Sequence, residues 1–460
     1  MERIISEFQQ KSIAPSITLS ESSLLRYIAF TALYAAQGLP GGLLGVALPA
    51  WLVENGWGAD QIALYLAIVF FPWSFKPIAG PLMDRFTFLP MGRRRPWVLA
   101  AQLGLLLSFA VMAAIPDPVD HFCLLVSLGF IVSLCASFQD VAVDGMAIEL
   151  LPEDQQARAN GFMWGGKTVG RALATAGGAF LLNTLGYSFS VLLIAGFLGL
   201  IFLIPLLFRE RPCEKLLPWT SGKISEISLK LQPENWKSIF INLIRAFWLP
   251  TSRLAITGFF ILFIGDGVLE VILPVLTVGQ LGWDDVTYSS LSATSKLIAG
   301  FSGMLIGASL VDRIGKIRSL FIIVIPMVLF TLAMGLFPDL WQNKKIIISY
   351  IFCRDICIVT VTITFLAISM GLSWQKIAAT QFALYMALSN LSDTAGSSTV
   401  KLLNRFFEFQ HFFIMVAICY GTLLIFMWFV NMEKHQEDLK LLDANNISPG
   451  DSNTDNTQKT

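Results

Sequence analysis

The chain is poor in charge. Only 14% of its 460 residues are Asp, Glu, Lys or Arg, whereas soluble proteins carry about 25%. Positive and negative charges sum to zero, so bulk charge gives no indication of a nucleic-acid partner. Because hydrophobic residues make up 55% of the sequence, we expect most of the chain to lie within a membrane.

Sequence signatures of metal and cofactor sites are also missing. The six cysteines have no metal-binding or redox spacing, and Cys353 and Cys357 lie four residues apart inside an apolar run. This pattern favours small packing residues. The stretch Gly161–Thr168 fits the letters G-x-x-x-x-G-K-[ST], but it lies inside a run predicted to span the membrane and not between a strand and a helix, so we expect no ATP-driven transport by this chain. The sequence predicts no cofactor, no metal and no enzymatic activity.

Long apolar runs dominate what remains. A spanning helix needs about 20 mostly apolar residues, and twelve runs meet that length in two sets of six. They are Tyr27–Val53, Gln61–Leu82, Trp97–Ile115, Phe122–Ile148, Ala159–Leu182, Ser188–Phe208, Leu254–Val278, Thr287–Val311, Leu320–Phe337, Ile346–Gly371, Ile377–Leu402 and Phe412–Asn431. The sequence therefore predicts an all-α membrane protein of twelve transmembrane helices in two six-helix bundles.

The polar segments complete the predicted organisation. An N-terminal segment spans residues 1–26, the bundles span 27–208 and 254–432, and a linker spans 209–253. Within the linker, Trp236–Trp248 is apolar with basic interruptions; it is either a helix lying along the membrane surface or an ordinary linker helix. The tail 433–460 is polar, and we expect it to be disordered.

Lys and Arg alternate between the connections, which predicts orientation. Bases occupy the linker and every second connection, whereas the alternate connections hold only Lys344, Lys345, Lys401 and Arg405. We therefore expect both termini to be cytoplasmic.

A motif repeats between the two halves. Gly80–Arg85 followed by Gly92–Arg95 lies between spans two and three, and Ala308–Lys316 lies between spans eight and nine. In each copy the acid can accept hydrogen bonds from the N-terminus of a neighbouring helix. The bases can stay near the anionic headgroups of the inner leaflet. The motif predicts either a cytoplasmic latch between two rocking bundles or a simple determinant of topology. The predicted gating residues are Lys76, Asp84, Arg85, Arg93, Arg94, Arg95, Asp312, Arg313 and Lys316.

This loop resembles that of the major facilitator superfamily. A closer resemblance is to the AmpG-like permeases, a family that includes muropeptide and acetyl-CoA transporters and siderophore importers. The residues that carry it are Gln37–Leu43, Trp51–Asn55, Phe75–Phe86 with Gly92–Arg95, Gln139–Asp144, and Ala379–Leu384. The resemblance implies secondary transport of a small solute, usually import driven by protons, by a single chain in the cell inner membrane.

The same resemblance leaves the solute open. The muropeptide branch tends to have G-Y-R-L-G in span five, where this chain has Gly166–Gly170 with Thr168 at the Arg position. The acetyl-CoA branch resembles G-x-T-x-G there, but it has a Trp where this chain has Met146.

Charges inside the first-half spans point to a functional site. Asp140 and Asp144 share one face of span four, and Lys167 and Arg171 share one face of span five, since each pair is spaced i,i+4. The pairs either neutralise one another or release a base for an anionic solute when an acid is protonated. Gln37, beside Pro40 and several glycines, is a predicted solute contact. Glu149 is expected to be solvated at a helix end.

The second half adds more acids than bases. Asp266 and Glu270 lie in span seven and Lys296 in span eight, while Arg354 and Asp355 are adjacent and are expected to point in different directions. With Asp393 in span eleven, the central positions hold six acids and four bases. Two acids are then left over, and an unpaired buried carboxylate tends to take a proton. We expect Asp266 and Glu270 to be this surplus pair, because only Lys296 is near them in the sequence.

These patterns predict a proton-coupled importer of an anionic or amphipathic solute. Two alternatives remain open: an exporter of drugs or metabolites by proton antiport on the same scaffold, and a membrane sensor without transport.

Overall fold

The computed structural model of the chain describes residues 18–445, apart from residues 234, 284 and 404. Nearly all of them are helical, and an isolated bridge joins Thr18 to Arg209. The prediction of an all-helical chain is confirmed. Residues 1–17 and 446–460, most of the predicted N-terminal segment and half of the predicted tail, lie outside the described residues.

The first half contains six long helices. Helix α1 consists of Ser23–Gly42, a π-helical turn Leu43–Ala47 and Leu48–Glu54; α2 consists of Ala59–Phe70, a 3-10 turn Phe71–Phe75 and Lys76–Arg85; α3 is Arg95–Ala113, α4 is Phe122–Leu150, α5 is Gln156–Leu185 and α6 is Tyr187–Leu207.

The second half repeats this arrangement. Helix α7 consists of Pro250–Pro274 and a π-helical turn Val275–Gln280; α8 consists of Asp285–Ser302, a π-helical turn Gly303–Gly307 and Ala308–Ile314; α9 is Lys316–Leu336, α10 is Lys344–Leu372, α11 is Ala378–Leu403 and α12 is Phe409–Trp428. Between the halves lie a short helix, Glu226–Lys230, and the linker helix, Trp236–Phe247; the tail helix, Met432–Asn445, follows α12.

Ten of the helical segments in the described part are long and apolar enough to cross a membrane. Helices α5 and α11 are not among the ten, although they have 30 and 26 residues. Both are rich in Gly, Ser, Thr and Asn and carry charges, so their mean hydropathy is low. Twelve membrane crossings therefore stay a prediction.

Glycines bring α1 and α5 into backbone contact. A Cβ at Gly166 or Gly170 of α5 would meet the backbone of Thr31 or Ala35 of α1, so only glycine fits there. Pro40 lies inside α1 without ending it. Gly38 and Gly42 of α1 likewise lie against the backbone of α5, and this packing places Lys167 beside the face of α1 that carries Tyr34.

The two halves touch at one end. Helix α11 packs against α2 and α4, and α5 packs against α8 and α10. Gly80 of α2 allows the closest approach, since a Cβ there would lie 2.7 Å from the Cα of Thr380. The same end carries the repeated loops and the linker, and its position on the cytoplasmic side stays a prediction from the positive charges.

The start of the tail differs from the prediction of disorder. The tail helix packs on the loop between α10 and α11: His435 bonds the carbonyl of Leu372 at 3.0 Å and Gln436 donates to Gly371 at 2.7 Å. Leu439 is buried with Ile377 in a small apolar core. The prediction was wrong for residues 433–445 because their few apolar side chains are spaced to reach that loop, which composition does not record.

Candidate functional site

A first charge cluster lies between α2, α4 and α5. Asp140 accepts from Lys76 and lies 3.6 Å from the Nζ of Lys167. The ammonium groups also lie over aromatic rings: Lys76 is 4.8 Å and Lys167 5.1 Å from the ring centre of Trp73, which belongs to the 3-10 turn of α2. One buried carboxylate thus serves two bases, and the side chain of Lys167 keeps 30% of its surface exposed.

Asp144 has a different environment. One turn further along α4, it is 4% exposed and accepts from the hydroxyl of Tyr34. Among the described residues no base lies within ion-pair distance of it. Asp144 is therefore held by a neutral partner, whereas Asp140 is held by two cations.

Two first-half predictions about bases need correction. Arg171 was expected to face the acids, but its side chain is exposed and has no ion pair in the described part of the chain. Lys76 was expected at the cytoplasmic gate, but it is buried against Asp140. The 3-10 turn Phe71–Phe75 changes the direction in which the side chains after it point. The apolar pattern of span two does not predict that turn.

A second charge cluster surrounds Arg354 of α10. Its guanidinium pairs with Asp266, with Glu270 at 3.3 Å and with Asp355 at 2.9 Å. Lys296 of α8 lies 3.1 Å from Glu270, and the hydroxyl of Tyr420 lies 3.3 Å from Asp266.

This cluster overturns two expectations. Asp266 and Glu270 are not the surplus acids, because both are bound by Arg354. Arg354 and Asp355 do not point apart, because the guanidinium reaches back to the carboxylate that follows it. Sequence distance was a poor guide, since Arg354 follows Asp266 by 88 positions.

Two predicted polar side chains have unpartnered atoms. Oδ1 of Asp393 is buried without a hydrogen-bond partner among the described residues, and no ion pair there includes Asp393. Both amide atoms of Gln37, a residue only 1% exposed, are likewise unpartnered. Asp393 sits where α11 meets α7, since a Cβ at Gly267 would strike its backbone. The acids without a base are therefore Asp144 and Asp393.

The first repeated loop joins the two halves. Asp84 accepts from the backbone N–H and the hydroxyl of Thr380, at 2.8 and 2.5 Å, at the N-terminus of α11. It also pairs with Arg94, and with Arg93 at 3.3 Å. Arg93 in turn donates to the carbonyls of Gln375 and Lys376, at 2.8 and 2.6 Å. We call this set of bonds the Asp84 contact.

A second buried acid, Glu149, binds the two arginines of the Asp84 contact. Glu149 lies 2.9 Å from Arg93 and 2.7 Å from Arg94 with a side chain 1% exposed, so the expectation that it is solvated was wrong. Arg95 is also fully buried and donates to four carbonyls of α6 and the linker: Pro205, Leu206, Lys215 and Leu216. The third Arg of the loop thus holds the linker rather than the other half.

The second repeated loop makes the corresponding contact more loosely. Asp312 pairs with Arg158 at 3.0 Å, and Lys316 bonds Gln156 at 2.9 Å and Glu153 at 3.6 Å, all at the start of α5. The side chains of Arg158 and Glu153 are 48% and 55% exposed. We call this set the Asp312 contact. Arg85 is half-buried and Arg313 is exposed, and neither has an ion pair in the described part.

Sequence reasoning missed several residues of these sites, Tyr34, Trp73, Thr380 and Tyr420 among them, and it misjudged Glu149. Tyr34 lies one turn before Gln37 on α1, and Trp73 one turn before Lys76 on α2, so helical spacing from known candidates could have found both. Nothing in the sequence marks Thr380 as the partner of Asp84.

One cavity lies apart from these charges. It measures about 800 Å³ at the opposite end of the second half, with Val271, Trp341, Val400, Glu408 and Phe412 among its lining residues. No charge-cluster residue lines it. In the described part of the chain, no group of three or more His, Cys, Asp or Glu side chains is arranged to hold a metal ion.

Comparisons with known proteins add to this geometry. The family model described as Major Facilitator Superfamily matches residues 30–397. The chain is 25% identical over 356 residues to the anhydromuropeptide permease of Escherichia coli, covering 77% of this chain and 69% of that protein. It is 25% identical over 410 residues to the putative transporter AmpG 4 of Rickettsia conorii, covering 85% and 93%.

Solved structures resemble the fold at low identity. The Escherichia coli fucose:proton symporter has a TM-score of 0.65 at 12% identity, over 88% of this chain and 98% of that one. A bacterial homologue of the iron transporter ferroportin, in an outward-facing state, has a TM-score of 0.62 at 17% identity, over 90% and 100%. At such identities the likeness is one of fold alone.

Proposed function

The chain belongs to the major facilitator superfamily and is a multi-pass membrane transporter rather than an enzyme, and from this premise we propose that it imports an anionic or amphipathic solute together with protons. The route is alternating access: the two halves rock about a site between them. We further propose twelve membrane crossings, both termini in the cytoplasm and location in the inner membrane. Because one chain supplies both halves, we propose that it acts as a monomer.

The observation that carries this proposal is the pair of charge clusters. Each holds a partly exposed base paired with an acid: Lys167 with the buried Asp140, and Lys296 with the half-exposed Glu270, which Arg354 also binds. Charge inside a membrane is costly and usually functional. The partly exposed bases are the groups we propose to hold the anionic part of the solute.

Proton coupling is assigned to the acids without a base. Asp144 bonds only Tyr34, and Asp393 has an unpartnered oxygen. Leaving a carboxylate ionised and unpaired in a low-dielectric site costs several kcal/mol, so each of these acids is a natural place for a proton. We propose that protonation of Asp144 or Asp393 accompanies solute binding.

The first solute to test is an anhydro-muropeptide, because a permease for such compounds is among the relatives. Siderophores and acetyl-CoA-like compounds are the next candidates. The purified protein is reconstituted into liposomes, and uptake of each solute is followed under an imposed pH gradient. We expect uptake in the direction of proton flow, abolished by a protonophore.

Two variants sharpen this experiment. Lys167→Ala should raise the KM for the solute, while Arg171→Ala, one turn away and exposed, should leave transport near the wild-type rate. Absence of gradient-driven uptake for every candidate solute would contradict the proposal, and proton-driven movement in the opposite direction would replace import with antiport.

A further inference from the structure

The linker helix, Trp236–Phe247, has two apolar faces, and the described part of the chain covers only one of them. On the covered face, Ile239 and Ala246 pack with Trp374, Ile377 and Leu439. On the other face, Phe240, Ile244 and Trp248 are 50%, 57% and 61% exposed. An exposed apolar strip of this kind marks an interaction surface.

The uncovered face lies beside an exposed apolar residue at the end of a predicted spanning helix. The ring of Trp236 packs edge-on against Phe86, directly after α2, with ring centres 5.8 Å apart, and Phe86 is itself exposed. At its other end the linker helix stops at Phe247, and α7 begins at Pro250. The helix is therefore held at both ends next to the ends of helices that are long and apolar enough to span a membrane.

The charge of the helix fits one kind of partner. The sequence from Trp236 to Trp248 contains no Asp or Glu, and it carries Lys237 and Arg245. Arg253, at the start of α7, places its guanidinium 5.4 Å from the ring centre of Trp248. A helix with aromatic and aliphatic residues on one side and bases within and beside that side binds the interface of an anionic bilayer.

We propose that the linker helix lies in the headgroup layer of the inner leaflet, with Phe240, Ile244 and Trp248 among the acyl chains and its bases on anionic phospholipid headgroups. The opposite face braces Trp374 and Ile377, which flank the two carbonyls that accept from Arg93. Lipid bound on one side of this helix therefore supports the Asp84 contact on the other side.

The test measures what touches the uncovered face. In the full chain with its six cysteines replaced, a nitroxide is attached at Ile244→Cys or, independently, at Phe240→Cys. The protein is placed in nanodiscs of phosphatidylcholine, or of equal parts phosphatidylcholine and phosphatidylglycerol. Collision with oxygen, which concentrates in lipid, and with a water-soluble nickel chelate is measured by electron paramagnetic resonance.

Two reference positions calibrate the result: Leu329→Cys, exposed on α9, and Ser221→Cys, exposed in the polar part of the linker. We expect the oxygen-to-nickel ratio at 244 and 240 to match that at 329, to exceed that at 221 several-fold, and to rise with phosphatidylglycerol. The combined change Lys237→Glu and Arg245→Glu should remove the dependence on phosphatidylglycerol.

A ratio at 244 and 240 equal to that at 221 would show that the face meets water and overturn the proposal. Low collision with both reagents would show that protein covers the face, whether a second copy or another partner, and would overturn it equally. Neither readout depends on solute transport, so the result stands whatever the solute proves to be.

Discussion

Asp140 and Asp144 lie one turn apart on α4, yet their carboxylates meet different partners. Asp140 is held by Lys76 and Lys167, and Asp144 by the hydroxyl of Tyr34. Neutralising Asp140 leaves two cations without their acid, whereas neutralising Asp144 removes no cation's partner. Substitution should therefore separate a structural acid from a proton-carrying one.

We expect Asp144→Asn to uncouple transport without unfolding the protein. The amide mimics a protonated carboxyl and can still bond Tyr34, so exchange of solute across the membrane should persist while accumulation driven by a pH gradient falls roughly tenfold or more. Counterflow and gradient-driven uptake in the same proteoliposomes measure the two activities. Asp140→Asn is the matched comparison, and it should lower the melting temperature as well. Loss of counterflow in Asp144→Asn would contradict the assignment.

The pKa of Glu214, in the linker, leads us to expect that stability depends on pH. Burial, helped by the nearby carboxylate of Glu210, raises the pKa of Glu214 to about 8. The folded chain then holds a proton that the unfolded chain has released between about pH 4.5 and about pH 8. Each pH unit of increase in that window should therefore lower the free energy of unfolding by up to ~1.4 kcal/mol.

Replacing the acid should remove this dependence. We expect Glu214→Gln to melt at a higher temperature than the wild type near pH 8 and to vary less from about pH 6 to about pH 8. Scanning fluorimetry in detergent at a series of pH values measures the effect. Glu226→Gln, an exposed neighbour in the linker, should follow the wild-type curve, and an unchanged slope in Glu214→Gln would refute the prediction.

The repeated loops are related elements that make contacts of unequal strength. The Asp84 contact is fully buried and joins an acid to two arginines and a helix N-terminus. In the Asp312 contact, the side chain of Arg158 is about half exposed. Breaking a buried pair costs about 3–5 kcal/mol because the remaining charge is stranded, while an exposed pair contributes about 0–1 kcal/mol.

We accordingly expect Asp84→Asn to lower stability by roughly 3 kcal/mol and to shift the halves towards separation at the cytoplasmic end. Asp312→Asn should cost less than about 1 kcal/mol. The distance between spin labels on the cytoplasmic ends of α2 and α11 measures the separation, and thermal melting measures stability. Equal effects of the two substitutions would show that burial does not set the strength of these contacts.

The sequence predicted the helices of this fold far better than the partners of its charges. An apolar run of about 20 residues predicts a helix by its length and composition alone. The predicted spans therefore agree with the observed helices to within a few residues at most ends. Ion pairs are recorded only as residue types. Lys76 looked like a gate residue but follows a 3-10 turn and is buried against Asp140, and Arg171 looked like a site residue but is exposed on α5. Glu149 was misjudged because its burial comes from distant segments.

At the scale of the whole molecule, the inner end is enclosed by parts from outside the two bundles. The linker helix and the tail helix both pack on the connection between α10 and α11, sharing the apolar core of Ile239, Trp374, Ile377 and Leu439. Asp443 adds bonds to the indole of Trp374 at 3.0 Å and to Lys376 at 3.1 Å. That connection also supplies the carbonyls that bind Arg93.

Removing the tail helix should therefore loosen the inner end. We expect a chain truncated after Asn431 to lose roughly 2–4 kcal/mol, the effect of uncovering Leu439 and Trp374, and to show faster hydrogen exchange in residues 372–380. Truncation after Asn445 is the control and should leave both quantities unchanged. Wild-type exchange in the shorter chain would show that the tail helix contributes nothing to the closed inner end.

The inequality of the Asp84 and Asp312 contacts has a consequence for the path of opening. When the two halves separate at this end, the weaker Asp312 contact should break first. The stronger Asp84 contact then acts as the pivot about which the halves rotate. We expect water to enter between α5 and α8 before α2 and α11 separate, so that the first exit towards the cytoplasm is a one-sided slot. A solute leaving through it would pass the exposed Arg158 and Glu153, and these two side chains would then influence the rate of release rather than the affinity of binding.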